Sequence, residues 1–165
     1  MNESGLRNAT LVFLVRRSET RIADICLAMK KRGFGANRWN GVGGKVKCGE
    51  ETIEEAAKRE AREEIGVSIN DLRKIAELSF CFPHNPAWDQ TVHVYFSESW
   101  EGEPQESEEM NPKWFSSDEI PYENMWPADI FWLPEAIKGR ALKAMVKFGE
   151  NDVVEDKEIN IVESF

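Results

Sequence analysis

The sequence predicts a single α+β domain spanning residues 1–165. Short apolar runs rich in β-branched and aromatic residues lie on both sides of two helical stretches, and neither a repeat nor a Pro/Ser-rich linker divides them. A chain of 165 residues, 41% apolar and 31% charged, can bury a real core. That composition excludes a disordered, collagen-like or disulfide-scaffold protein.

Taken in order, residues 10–15 (TLVFLV) and 25–29 (ICLAM) read as two strands. Residues 33–44 hold five of the eleven glycines, a density that permits positive φ and close backbone approach to a ligand. The first helix is predicted over residues 52–65. Thr52 and Glu55 match a capping box, and Gly66 supplies the stop. Its apolar residues are Ile53, Ala56, Ala57 and Ala61, small enough for close packing on a sheet. Residues 72–82, 91–97 and 113–115 read as further strands, the first ended by Pro83-His84-Asn85-Pro86. Residues 100–112 read as an acidic connection. A second helix is expected over 129–138, then a terminal hairpin from 141–148 and 153–162 around Gly149-Glu150-Asn151-Asp152.

No apolar run approaches the ~20 residues of a membrane span. Residues 1–4 lead only to the short run 10–15, too short and wrongly flanked for a secretory signal. Three cysteines without a C-x-x-C argue against a disulfide framework or structural zinc, so a cytoplasmic location is expected. The net charge of −9 argues against a polymeric nucleic-acid partner. Residues 1–47 nevertheless carry 10 Lys/Arg against 3 Asp/Glu, and the acidic excess follows them. A basic stretch before a dense acidic one suits a phosphate-rich small ligand bridged by a divalent metal, or else two solvated faces.

Glu60, Glu63 and Glu64 share one helical face at i, i+3 and i+4. Three like charges there repel. A Glu-rich helix is commonly a solvated face, but hard cations such as Mg²⁺ take carboxylate clusters topped up by water and phosphate oxygens.

Residues 44–51 (GKVKCGEE) followed by 59–67 (REAREEIGV) resemble the Nudix box, G-x5-E-x7-R-E-U-x-E-E-x-G-U. Counting back from Arg59 reaches Glu51. Six residues separate it from Gly44 where the box has five, which leaves Glu50 and Glu51 both available for the motif acid. Residues 29–36, 38–41, 109–110 and 125–127 extend the similarity to the MutT-like, oxidised-purine branch, along nearly the whole chain.

The resemblance implies a Nudix fold, with a mixed sheet packed between helices as an α/β/α sandwich. It implies Mg²⁺, with Mn²⁺ as an alternative, held by Glu60, Glu63, Glu64, Glu109 and the Gly43 carbonyl. It further implies Glu64 as general base, with Glu63 as the alternative, and Arg59 paired with Glu51 or Glu50. Lys30 and Lys45 would contact phosphate. Phe34, Asn40, Phe80, Trp126 and Asp129 would bind the base, with Thr10 and the Val42, Gly43 and Gly44 backbone lining the same pocket. The expected activity is cleavage of 8-oxo-dGTP-like triphosphates to monophosphate and pyrophosphate by a monomer acting on small-molecule nucleotides. The rivals are hydrolysis of ADP-ribose or a dinucleoside polyphosphate, and a catalytically silent nucleotide-binding module. Ala128 stands where the resembled enzymes carry the first of two adjacent acids. Weaker discrimination among oxidised purines is therefore expected.

Overall fold

The computed structural model describes residues 6–165. Residues 1–4, on which the expectation about a secretory signal partly rests, lie outside the described residues. The strands are β1 (Arg7–Ser18), β2 (Arg21–Lys30), β3 (Trp39–Asn40), β4 (Ser68–Ile69), β5 (Arg73–Cys81), β6 (Gln90–Ser97), β7 (Trp100–Glu101), β8 (Met110–Ser116), β9 (Ala141–Phe148) and β10 (Val154–Val162). The helices are α1 (Ile53–Ile65) and α2 (Asp129–Ile137). No helix among the described residues is long and apolar enough to cross a membrane.

The main sheet runs β10-β9-β5-β6-β1-β2-β3, and β8 also pairs with β2. It is mixed, as expected: β1–β6 and β5–β9 are parallel and the remaining pairs antiparallel. Alternation along the central strands builds two cores. Val12, Leu14, Cys26 and Ala28 face Ala57, Ala61 and Ile65 of α1. Phe13, Val15, Ile25 and Leu27 face Trp132, Leu133 and Ala136 of α2. Each large apolar side chain so buried contributes ~1.5–3 kcal/mol. Ala56, Ala57 and Ala61 are fully buried, so α1 lies close to the sheet. A leucine at any of the three would overpack it by ~1–3 kcal/mol.

One irregularity in this sheet makes the site. β1 and β2 pair from Val15↔Ile25 to the turn and then part. Residues 39–45 fill the gap, bridging Ala28↔Asn40 on one side and Val12↔Val42 and Ala9↔Lys45 on the other. Glycine is required in this wedge. A Cβ on Gly43 would lie 1.8 Å from the Thr10 carbonyl oxygen, and one on Gly41 2.7 Å from that of Val12.

Residues 100–112 differ from the expected connection. Trp100–Glu101 pairs with Ser68–Ile69, and β8 begins at Met110 rather than near 113. Two-residue strands carry no readable alternation, and Pro112 is tolerated because, among the described residues, β8 is an edge strand paired with β2 alone.

Candidate active site

The loop leading into α1 and the helix itself are stitched together locally. The Thr52 hydroxyl accepts the Glu55 N–H while the Glu55 carboxylate accepts that of Thr52, and Gly66 closes the helix at φ 73°. Arg59, two turns in, reaches back to the loop. Its Nε and Nη2 donate to the two carboxylate oxygens of Glu51 at 2.9 and 2.7 Å, and Nη2 also meets the Lys45 carbonyl at 3.3 Å. Glu51, rather than Glu50, is thus the acid that Arg59 holds. The guanidinium keeps the Glu51 carboxyl down at about 2.

Glu60 and Glu64, one turn apart, face the glycine wedge. The Gly43 N–H donates to Glu64 Oε2 at 3.2 Å, and a Cβ on Gly44 would lie 2.6 Å from Glu60 Oε1. Glu64 is buried. Its burial, with the charges of Glu60 and then Glu109, pushes the carboxyl up to about 8, against the lowering effect of the Gly43 N–H. Glu63 departs from the expected convergence. It lies ~100° around the helix from Glu64, its side chain is 57% exposed, and its carboxylate accepts from Arg59 Nη1 at 3.2 Å. Glu109 is also largely exposed, 3.7 Å from Arg32, although its charge reaches Glu64.

A cavity of about 220 Å³ opens beside this cluster. Its lining includes Thr10, Lys30, Gly43, Gly44 and Lys45 together with Phe34, Asn40, Phe80, Trp126 and Asp129. Asn40 Oδ1 accepts the Gly41 N–H at 2.8 Å, and the Gly44 carbonyl accepts that of Thr10 at 2.8 Å. Asp129 is buried, and Trp132 Nε1 donates to its Oδ1 at 3.1 Å. Its Oδ2 is buried with no hydrogen-bond partner. Burial pushes this carboxyl up to about 7. A buried orphan acceptor costs ~1–3 kcal/mol, and its presence on a cavity wall marks a place where a ligand supplies the missing partner.

Val42 differs from expectation. Its N–H and C=O both pair with Val12, and its side chain packs in the α1 core, so it does not line the cavity. Ala128 does not line it either. It is fully buried with Phe82, Val146 and Phe148. Phe80 lines the cavity and also packs edge-on to Phe148 at 5.4 Å. Sequence reasoning missed Phe82 on the cavity wall, although its i+2 spacing from Phe80 along an apparent strand was a usable signal.

The donor set suits a hard divalent ion. Two carboxylates, Glu60 and Glu64, are crowded against a backbone loop, and one of them is held well above the ordinary carboxylate range. Among the described residues no three acidic, His or Cys side chains close around one point. The protein would therefore offer a partial shell, the kind Mg²⁺ completes with water and phosphate oxygens.

The NUDIX domain model matches residues 5–135. The chain is 44% identical over 165 residues to the oxidized purine nucleoside triphosphate hydrolase of Mus musculus, covering all of both chains. It is 42% identical to the protein of that name from Danio rerio, covering 93% of this chain and 94% of that one. Among solved structures it resembles the MutT protein of Bacillus halodurans at a TM-score of 0.80 and 21% identity, covering 94% of this chain and 98% of that one. With the predicted sandwich observed, and this similarity covering the whole chain, the chain belongs to the Nudix family.

Proposed function

We propose that the protein is a hydrolase of oxidised purine nucleoside triphosphates, yielding nucleoside monophosphate and pyrophosphate and so cleansing the nucleotide pool. The observation that carries this reading is the make-up of one cavity. Its lining combines Lys30, Lys45 and the Gly43–Gly44 backbone, which lies against Glu64 and Glu60, with Asn40, Trp126 and the orphan Asp129 oxygen. The names of the two full-length relatives support the same substrate class.

Each chain residue then has a task. Lys30 and Lys45 draw the phosphates in. Trp126 stacks on the purine, while Asn40 and Asp129 read its edge. A carboxyl poised near neutrality either donates to a purine oxygen or accepts from a purine N–H. Glu60 and Glu64 would hold Mg²⁺ or Mn²⁺, with water and phosphate oxygens completing the shell. When bound, the ion supplies charge neutralisation on phosphate and makes water more acidic. Water attacks the β-phosphorus, the bond from that phosphorus to the bridging oxygen of the monophosphate breaks, and the Glu64 carboxylate takes the proton from water. Arg59 holds Glu51, and through it the loop, in place for this chemistry.

We extend the reading to a cytoplasmic monomer. Support comes from three cysteines that form no C-x-x-C and from a net charge of −9, which favours a small anionic substrate over a nucleic-acid polymer. The test is a turnover panel of modified and ordinary nucleoside triphosphates, ADP-ribose and dinucleoside polyphosphates with Mg²⁺, run in ¹⁸O-water. An oxidised purine triphosphate should lead the panel, with label in pyrophosphate and none in the monophosphate. Preference for a diphosphate derivative, or absence of turnover across the panel, would sink the reading.

A further inference from the structure

We infer that Arg38, anchored by Asp152 of the C-terminal hairpin, is a positioning residue that fixes which face of Trp126 receives the base. The inference rests on the base site proposed above, but concerns two residues that do not line the cavity and a segment beyond the stretch that the family model matches.

The Arg38 guanidinium lies 4.2 Å from the centroid of the Trp126 ring, within cation–π range. Its Nη1 lies 3.0 Å from Asp152 Oδ2, and both side chains are about three-quarters sheltered from water. Asp152 sits in the turn joining β9 to β10, where Asn151 and Asp152 both adopt φ 59°. Two successive non-glycine residues in the left-handed region persist only where the surroundings hold them. Asn37, immediately before Arg38, is left-handed as well, at φ 68°.

A guanidinium seated on one face of an indole leaves only the other face for a purine. The ring is held elsewhere too. A Cβ on Gly35 would stand 3.1 Å from Trp126 Nε1, and Phe34 lies 5.0 Å away at a 41° tilt. Trp126 is therefore a preorganised stacking surface, and its order need not be established when the base binds. The Arg38 carbonyl accepts the Lys30 N–H at 3.2 Å, but its guanidinium pairs with Asp152 and Trp126 and makes no hydrogen bond or ion pair with Lys45, Glu60 or Glu64 among the described residues, so the side chain's contribution falls on base affinity and not on the chemical step.

The test measures kcat and KM for whichever panel nucleotide the wild type turns over fastest. Arg38→Met should raise KM by ~10-fold with kcat held within ~2-fold, the scale of one sheltered cation–π contact. Arg38→Lys should recover part of the loss, and Asp152→Asn should raise KM by ~3-fold because the anchor alone is removed. Inhibition by inorganic tripolyphosphate, which has no base, should be unchanged throughout. In a Trp126→Ala background, adding Arg38→Met should move KM no further. An unmoved KM in Arg38→Met, a matching fall in kcat, or additive losses in the double variant would each overturn the role. A wild type preferring another nucleotide class overturns the substrate reading instead, and the KM comparison on that nucleotide still decides Arg38.

Discussion

Arg59 and Glu51 form a two-pronged ion pair across the loop–helix junction, Nη2 to Oε1 at 2.7 Å and Nε to Oε2 at 2.9 Å. The remaining nitrogen, Nη1, meets Glu60 at 3.0 Å and Glu63 at 3.2 Å. One guanidinium thus neutralises two carboxylates of the acidic helix while tying down the loop that carries Gly43 and Gly44. Lysine keeps the charge but cannot form the fork. Arg59→Lys should therefore lower kcat/KM by ~10- to 100-fold, the usual cost of losing a partner that orients a metal ligand. Steady-state kinetics with Mg²⁺ checks this, and a near-wild-type value would show that charge alone suffices.

Glu64 separates catalysis from folding. Its carboxylate is buried beside Glu60, so ionisation is disfavoured and a neutral isostere relieves repulsion. Glu64→Gln should cut turnover by ~10²-fold or more while leaving Tm equal or higher. The matching control is Glu54→Gln, an exposed residue at a variable position of the box whose Oε1 accepts the Tyr95 hydroxyl at 3.2 Å, and it should be nearly silent. Retained turnover in Glu64→Gln, measured alongside a thermal melt, removes Glu64 as the base.

Asp129 makes stability depend on pH in a definite direction. Its folded pKa, about 7, lies above the ordinary value of 3.8, so the folded state keeps a proton that the unfolded chain releases. The stability contributed by protonated Asp129 is complete below the unfolded pKa and is lost as pH rises through about 7. Asp129→Asn removes this titration. The difference in Tm between the Asn variant and wild type should grow by several degrees from about pH 5 to about pH 8. A difference that stays constant with pH would show that Asp129 does not titrate there. On the panel, Asp129→Ala should lower kcat/KM for the best purine by ~10- to 200-fold.

Ala128 invites a test in which the fold overrides the family pattern. By sequence, restoring an acid at this position should sharpen preference for the oxidised purine. In the structure its methyl group is fully buried among Phe82, Val146 and Phe148, away from the cavity. Ala128→Asp should therefore lose about 2 kcal/mol or more by burying a carboxyl without a partner. Denaturant melts read this directly, and a stable variant with sharper substrate ranking would reinstate the sequence expectation.

What the sequence determined by itself is what neighbouring residues decide among themselves. Thr52, Glu55 and Gly66 mark both ends of α1 because caps act over three or four residues. The continuous apolar runs 10–15 and 25–29 announce strands buried on both faces, and the spacing of Glu60 and Glu64 places them on one helical face. Tertiary structure alone decided the rest. Whether Glu50 or Glu51 serves the box depended on which carboxylate Arg59 could reach around a loop with one extra residue. Glu63 fell outside the inward pair because packing turned the face of α1 that carries Glu60 and Glu64 toward the glycine wedge. The strands Ser68–Ile69 and Trp100–Glu101 exist only through each other, each too short to show a period. Asp129 acquired its unpaired oxygen, and Arg38 its partner 114 residues away, from elements that meet only in the folded chain. Local propensity is written in adjacent residues, whereas burial and charge pairing depend on which distant side chains the sheet brings together.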